Sequence, residues 1–185
     1  NPERQEFLCI DMDEWDKKIT GYTVNARGML NRYEIEANGF EVHSSDNWLY
    51  ESSLALDTVN NQYLAIWSEE DAEQESTVVK GRFISGGGEP GDYITVYENV
   101  YGNNIYKTSM AFDEWSEKYL VVWQEEDSSL NTYIMAQMLD REGNPEGDCF
   151  KVKDVEPEYN PRQYSPMVTA TGSGKFLVVW VEGWY

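Results

Sequence analysis

The hexapeptide Lys118–Trp123, KYLVVW, has two near copies in the same chain, QYLAIW at 62–67 and KFLVVW at 175–180, and a fainter relative, EFLCID, at 6–11. Aligned on their second residue, Phe7, Tyr63, Tyr119 and Phe176 stand 56, 56 and 57 residues apart. Flanking segments keep step: Ser53–Asp57 (SLALD) returns as Ser109–Asp113 (SMAFD), and Ser165–Val168 (SPMV) follows in the last copy. Gly21–Val24, Gly81–Ile84 and Ala136–Leu139 each lead into a glycine-containing turn, at 25–28, 85–91 and 140–147. A shared period restricts the chain to a repeat architecture, in which each unit buries its faces against its neighbours.

Each unit holds four strand-like pieces, here a (LALD, MAFD), b (YLAIW, YLVVW), c (VVKGRFI, YIMAQML) and d (DYITVYE, DCFKV). All are short, rich in β-branched and aromatic residues, and bounded by turn residues. In b, Tyr119, Val121 and Trp123 point one way and Leu120 and Val122 the other, so a strand apolar on both sides must be covered on both. Strand c mixes Lys80 and Arg82 with Phe83, and d carries Glu98 and Lys151, as an outer edge does. Dry inner strands and a half-wet outer strand are the pattern of a propeller blade. The expected fold is all-β, with four-stranded antiparallel blades.

The chain runs b-c-d (1–51), a whole blade (52–107), a second whole blade (108–164) and a final a-b (165–185), a single domain of about three and a quarter blades. Such a ring is incomplete. Either the sequence is part of a longer chain, or copies associate by strand or blade addition.

Residues 118–152 carry x-Y-L-V-V-W, an acidic loop, and a strand ending in D-x-x-G-N-P at Asp140–Pro145. This pattern resembles tandem propeller-type repeats of secreted and surface proteins of bacteria and archaea. The resemblance implies an extracellular or cell-surface location and the propeller architecture, and little about activity.

Composition removes several functions. The net charge of −20 argues against a nucleic-acid binder, because phosphate recognition needs clustered Lys and Arg. The longest apolar run, Phe176–Val181, is too short for a membrane span. Cys9 and Cys149 are not a disulfide framework and read as free thiols or one bridge. There is no G-x-S-x-G, P-loop or HExxH, and His43 is the only histidine, which excludes histidine triads and multi-histidine metal centres within this chain. His43 itself falls in a polar loop and carries no implied catalytic role. A polysaccharide-cleaving pair of carboxylates stays open as an enzymatic alternative.

Propeller connectivity places the b–c and d–a connections on one end of the ring. The b–c loops are expected at 11–18, 68–76 and 124–132, each opening with carboxylates, and the d–a loops at 41–52, 97–109 and 153–165. Two binding chemistries follow for that end. Trp48, Tyr50, Tyr101, Tyr106, Tyr159 and Tyr164 offer apolar ring faces suited to sugars, with acidic and Asn residues as hydrogen-bond partners. Asp11, Asp13 and Asp16, with Glu69 and Asp71 and their counterparts Glu125 and Asp127, are the weaker set, for Ca²⁺, a hard cation that takes six to eight oxygens. The two alternatives to these chemistries are packing of the aromatics and simple solvation of the charges. The function expected is a non-catalytic binding or adhesion module for a glycan or protein surface. The alternatives are a self-assembling structural module and part of a polysaccharide-cleaving enzyme; no cofactor is expected apart from Ca²⁺.

Overall fold

The computed structural model describes residues 6–25, 38–71, 76–99, 102–155 and 162–183. Among them lie thirteen β-strands and no helix. β1 (Glu6–Asp13), β2 (Lys18–Asn25) and β3 (Asn38–Ser44) form a three-stranded antiparallel sheet. β4 (Trp48–Asp57), β5 (Gln62–Asp71), β6 (Ser76–Ser85) and β7 (Pro90–Asn99) form a complete sheet in chain order. β8 (Asn104–Asp113), β9 (Lys118–Glu126), β10 (Thr132–Leu139) and β11 (Pro145–Lys151) repeat it. A last hairpin, β12 (Arg162–Ala170) and β13 (Phe176–Gly183), joins this third sheet through one parallel pair, Thr132 with Arg162. The fold is a β-propeller whose sheets do not close into a ring.

The core lies between the sheets, in one cluster per junction, and the alternation of the b strand decides which. Tyr63, Ala65 and Trp67 of β5 pack with Leu8, Ile19 and Val42 of the first sheet, while Leu64 and Ile66 turn the other way. The latter two meet Tyr119, Val121 and Trp123 of β9. Leu120 and Val122 then face Phe176, Val178 and Trp180 of the hairpin. Trp67 and Trp123 are wholly buried. Each such side chain contributes about 1.5–3 kcal/mol by leaving water, so the repeated hexapeptide is explained by packing. At the far side, among the described residues, the pattern continues uncovered: Leu177, Val179 and Val181 of β13, with Met167 of β12, are more than half exposed.

The a strands β4, β8 and β12 stand side by side and are stitched together by side chain to backbone bonds. Met110 N donates to Ser53 Oγ and Val168 N to Ser109 Oγ, both at 3.2 Å. The stitch recurs because Ser53 and Ser109 are the same position of successive repeats.

At one end of the sheets the turns are tight and aspartate-capped. Asp57 Oδ1 accepts from the backbone N–H of Val59 and Asn60, and Asp113 Oδ2 accepts from Ser116 and from Gly174 N in the hairpin. Asn61 and Glu117 take the left-handed conformation that closes these turns. Cys9 is exposed on β1 and Cys149 half-buried on β11, both as free thiols.

Candidate functional site

The opposite end carries the b–c and d–a connections, and there the strands run further than the sequence predicts. β1 continues to Asp13, β5 to Asp71 and β9 to Glu126, so most of the acidic residues assigned to loops sit on strand ends. Likewise Trp48, Tyr50, Tyr106 and Tyr164 belong to the a strands β4, β8 and β12. Tyr101 and Tyr159 lie outside the described residues.

A bulge interrupts each a strand directly after its tyrosine. Register breaks between Tyr50 and Ser52, between Tyr106 and Ser109, and between Tyr164 and Met167. Glu51, Lys107 and Ser165, the residues that follow, all have positive φ. A bulge re-aims its strand, and recurrence at equivalent positions marks it as a built feature. Glu51 and Lys107 form an ion pair from one bulge to the next, and Thr108 Oγ1 donates to Glu51 O.

These bulges bring Tyr50 and Tyr106 edge to face, with ring centroids 6.0 Å apart. Tyr50 Oη donates to Glu70 Oε2 at 2.5 Å. Trp48, two residues earlier on the same side of β4, is paired across the sheet with Glu70 and is 45% exposed. The Lys17 ammonium sits 4.8 Å from its ring centroid and also donates to Asp46 O. Burial raises the pKa of Tyr50, and the Glu70 carboxylate adds to the shift. Tyr106 is raised by the same desolvation, then by Glu126 and Glu70. Both phenols therefore stay protonated donors at neutral pH. Tyr164 is one sheet further round, its ring beside Gly183.

The predicted metal ligands are differently employed. Asp13 Oδ1 accepts from Trp15 N and Asp16 N, making Asp13 the cap of the β1–β2 turn. Asp11 and Asp16 are exposed, and Asp71 is the last residue of β5. Asp127 caps the β9–β10 turn through Ser129 N and Asn131 N. Glu125 is buried and accepts from Asn103 Nδ2 at 2.8 Å and Trp123 Nε1 at 3.2 Å. Among the described residues no group of three or more His, Cys, Asp or Glu is gathered in a metal-binding arrangement.

Glu69, the counterpart of Glu125, has a fuller set of donors. Its Oε1 accepts from Ser45 Oγ at 2.8 Å and Asn47 Nδ2 at 2.9 Å, and its Oε2 from Trp67 Nε1 at 3.4 Å. Lys80 Nζ stands 3.2 Å and His43 Nε2 3.1 Å from the same Oε2. A carboxylate only accepts, so Nε2 carries a proton and Nδ1 is turned toward Tyr93 Oη, 3.5 Å away. Burial alone would raise the Glu69 pKa, but the bonds from His43, Asn47 and Ser45 and the Lys80 charge hold it well below its ordinary 4.5.

The structure thus corrects the reading of His43. It is buried near the end of β3, stacked on Trp67 at 4.5 Å between centroids and edge-on to Tyr93 at 5.6 Å. The equivalent partner at the next junction is Tyr97, stacked on Trp123 at 4.8 Å. Strand d thus covers the following sheet's b-strand tryptophan, and an imidazole fills the place of a phenol.

No family model matches the sequence, and no curated protein matches it. Solved structures do. An N-acetylgalactosamine deacetylase from F. plautii in complex with blood group B trisaccharide aligns at TM-score 0.58 and 10% identity, over 98% of this chain and 62% of that one. An endo-arabinase from Bacteroides thetaiotaomicron VPI-5482 aligns at TM-score 0.53 and 11% identity, over 92% of this chain and 68% of that one. The β-propeller domain of the Trilobed protease from Pyrococcus furiosus aligns at TM-score 0.41 and 10% identity, over 86% of this chain and 41% of that one. This chain spans less than two thirds of the length of the deacetylase structure. The likeness to the first two is one of fold.

Proposed function

We propose that the chain is a non-catalytic carbohydrate-binding module, acting outside the cell or at its surface, with the glycan received at the end where the a strands bulge. The observation that carries this reading is the row Trp48, Tyr50 and Tyr106, bulge-positioned beside Glu70 and Glu126. Aromatic faces take the apolar side of a sugar ring, and carboxylates accept from its hydroxyls. Protonated phenols add donors. That two structures of similar fold are of proteins acting on or binding carbohydrate supports the choice of ligand class.

The test is binding to a glycan array, followed by titration calorimetry on the strongest hit with Trp48→Ala and Tyr106→Ala. Each is expected to weaken binding by roughly two- to twelvefold, the worth of a lost aromatic contact of about 0.5–1.5 kcal/mol. Affinity indifferent to both substitutions rules the row out. A second reading, a structural repeat module that packs against further sheets, is favoured by the exposed apolar side of β13.

A further inference from the structure

The turn between β1 and β2 lies at the end of the sheets that carries the aromatic row. It leaves Trp15 88% exposed, more than any other large apolar side chain among the described residues. The turn itself is fixed. Asp13 Oδ1 accepts from Trp15 N at 2.9 Å and from Asp16 N at 3.0 Å, and Lys17 takes a positive φ of 49°. Two further bonds fasten it to the β3–β4 connection: Ser45 N donates to Lys17 O at 3.1 Å, and the Lys17 ammonium donates to Asp46 O. An indole left in water is unfavourable, because its large apolar surface stays hydrated. Presenting one on a turn tied down by both backbone and side chain is the arrangement of a contact residue ordered before its ligand arrives.

Trp115 is the control that the chain itself supplies. It occupies the same place in Asp113–Lys118, where DEWSEK parallels the DEWDKK of Asp13–Lys18, and it too is exposed. That turn joins β8 to β9, an a strand to a b strand, and so lies at the opposite end of the sheets. The Trp115 ring lies against Gly174 in the turn of the last hairpin, where an added Cβ would stand 2.7 Å from it. Trp115 therefore packs between the third sheet and the hairpin. For Trp15, with so little of its side chain covered, packing is no explanation.

The rings at the bulged end belong to three successive sheets: Trp15 to the first, Trp48 and Tyr50 to the second, and Tyr106 to the third. The Lys17 ammonium, 4.8 Å from the Trp48 ring centroid, ties the Trp15 turn to the row, and Glu14 is among the charges that act on the Tyr50 phenol. Along β4, Trp48 and Tyr50 are two residues apart, a step of about 6.6–6.8 Å. Between Tyr50 and Tyr106 the step is 6.0 Å. Each is of the order of one pyranose ring, so the row with Trp15 added is longer than a single sugar requires.

Charge at this end is one-sided. Glu14 and Asp16 are exposed on the turn, and Glu70 and Glu126 act on the tyrosines. The nearby lysines are engaged, Lys17 as described, Lys18 with Glu41 and Lys107 with Glu51. A carboxylate or sulfate on a ligand would meet like charge here, whereas hydroxyl groups find acceptors.

We infer that Trp15 is the outer contact of the carbohydrate site, and that the ligand is an uncharged oligosaccharide chain laid across three sheets, its far ring on Trp15. The inference rests on the reading of the Trp48–Tyr106 row as a glycan site and extends it from a ring to a chain.

The experiment is calorimetric titration of the whole chain with cello-, xylo-, manno- and arabinohexaose, with the disaccharide of each, and with hexagalacturonate. At least one neutral hexasaccharide is expected to bind, and hexagalacturonate to bind at least about tenfold more weakly. Trp15→Ala should lower hexasaccharide affinity by roughly two- to twelvefold, the worth of one aromatic contact, and leave disaccharide affinity and Tm unchanged. Trp15→Phe should retain most of the hexasaccharide affinity and Trp115→Ala all of it. Oxidation by N-bromosuccinimide, mapped by mass spectrometry, should show Trp15 shielded by the bound hexasaccharide and Trp115 not shielded. If Trp15→Ala has no effect while Trp48→Ala weakens binding, the inference is overturned and the row stands; if neither has an effect, both fall. Binding of no neutral hexasaccharide, or tighter binding of hexagalacturonate than of every neutral chain, also overturns the inference.

Discussion

Replacement of Glu69 by Gln tests the most heavily bonded carboxylate of the fold against an internal control. Glu69 is buried and receives hydrogen bonds or ion pairs from Ser45, Asn47, His43, Trp67 and Lys80. A glutamine keeps the shape but removes the charge and turns an N–H₂ toward groups that themselves donate. Removing one member of a buried ion pair costs about 3–5 kcal/mol. Glu125 occupies the same place one repeat later, with two neutral donors, Asn103 and Trp123. Its loss should cost about 1–2 kcal/mol. For a chain of this size, with roughly 2–4 °C of Tm per kcal/mol, Glu69→Gln should melt roughly 6–20 °C below wild type and Glu125→Gln roughly 2–8 °C below. Urea titration provides the free energies, provided the m-value is unchanged. Equal losses, or a larger loss for Glu125→Gln, would refute the claim that His43 and Lys80 are what make the first junction different.

Four further outcomes are expected. The folded-state pKa of Glu69 is depressed, so its stabilisation is complete above its ordinary value of 4.5 and fades as pH falls below it; melting curves from neutral pH to about pH 3 should show wild type losing its margin over Glu69→Gln, and parallel curves would contradict this. Ser53→Ala and Ser109→Ala each remove one stitch between a strands, about 1 kcal/mol apiece and additive in the double variant because they lie at different junctions; chemical denaturation checks both the size and the additivity. Gly174 (φ 77°) cannot accept a Cβ, which would stand 2.7 Å from the Trp115 ring, whereas Gly147 (φ 72°) has open space, so Gly174→Ala should lower Tm clearly more than Gly147→Ala. Addition of EDTA or millimolar Ca²⁺ should leave Tm unmoved, since Asp13, Asp127, Glu69 and Glu125 already accept from protein donors; a Ca²⁺-dependent rise removed by Asp16→Asn would instead support Ca²⁺ binding.

The part of the fold legible in the sequence was the part fixed by packing. A strand apolar on both sides has one solution, and Leu120/Val122 against Tyr119/Val121/Trp123 announce it without help. Strand ends were read too short because acidic residues suggest loops. Glu69 and Glu125 are nonetheless strand residues, since Asn47 and Asn103 reach them from the d–a connection and the indole of the residue two before them donates as well. That signal was present as Trp-x-Glu at 67–69, 123–125 and 180–182. The β1–β2 turn was also recoverable. Asp13–Lys18 reads DEWDKK and Asp113–Lys118 reads DEWSEK, and both are closed by an aspartate cap with a positive φ at the fifth residue. The burial of His43 was not recoverable from local sequence, because its stacking partner is a tryptophan of the next sheet. Nor were the bulges after Tyr50, Tyr106 and Tyr164, whose unusual φ falls on Glu, Lys and Ser rather than on glycine.

The bare side of β13 has a colloidal consequence. Leu177, Val179 and Val181 present to water the same stripe that Leu64 and Ile66, or Leu120 and Val122, hide at the earlier junctions. Against contact between two such stripes stands the charge of −20 carried on every molecule. That repulsion has a reach of about 10 Å at 0.1 M salt and about 3 Å at 1 M. Salt, usually added to keep a protein in solution, would here strip away the barrier and strengthen the attraction behind it, so this chain is best handled dilute and at low ionic strength.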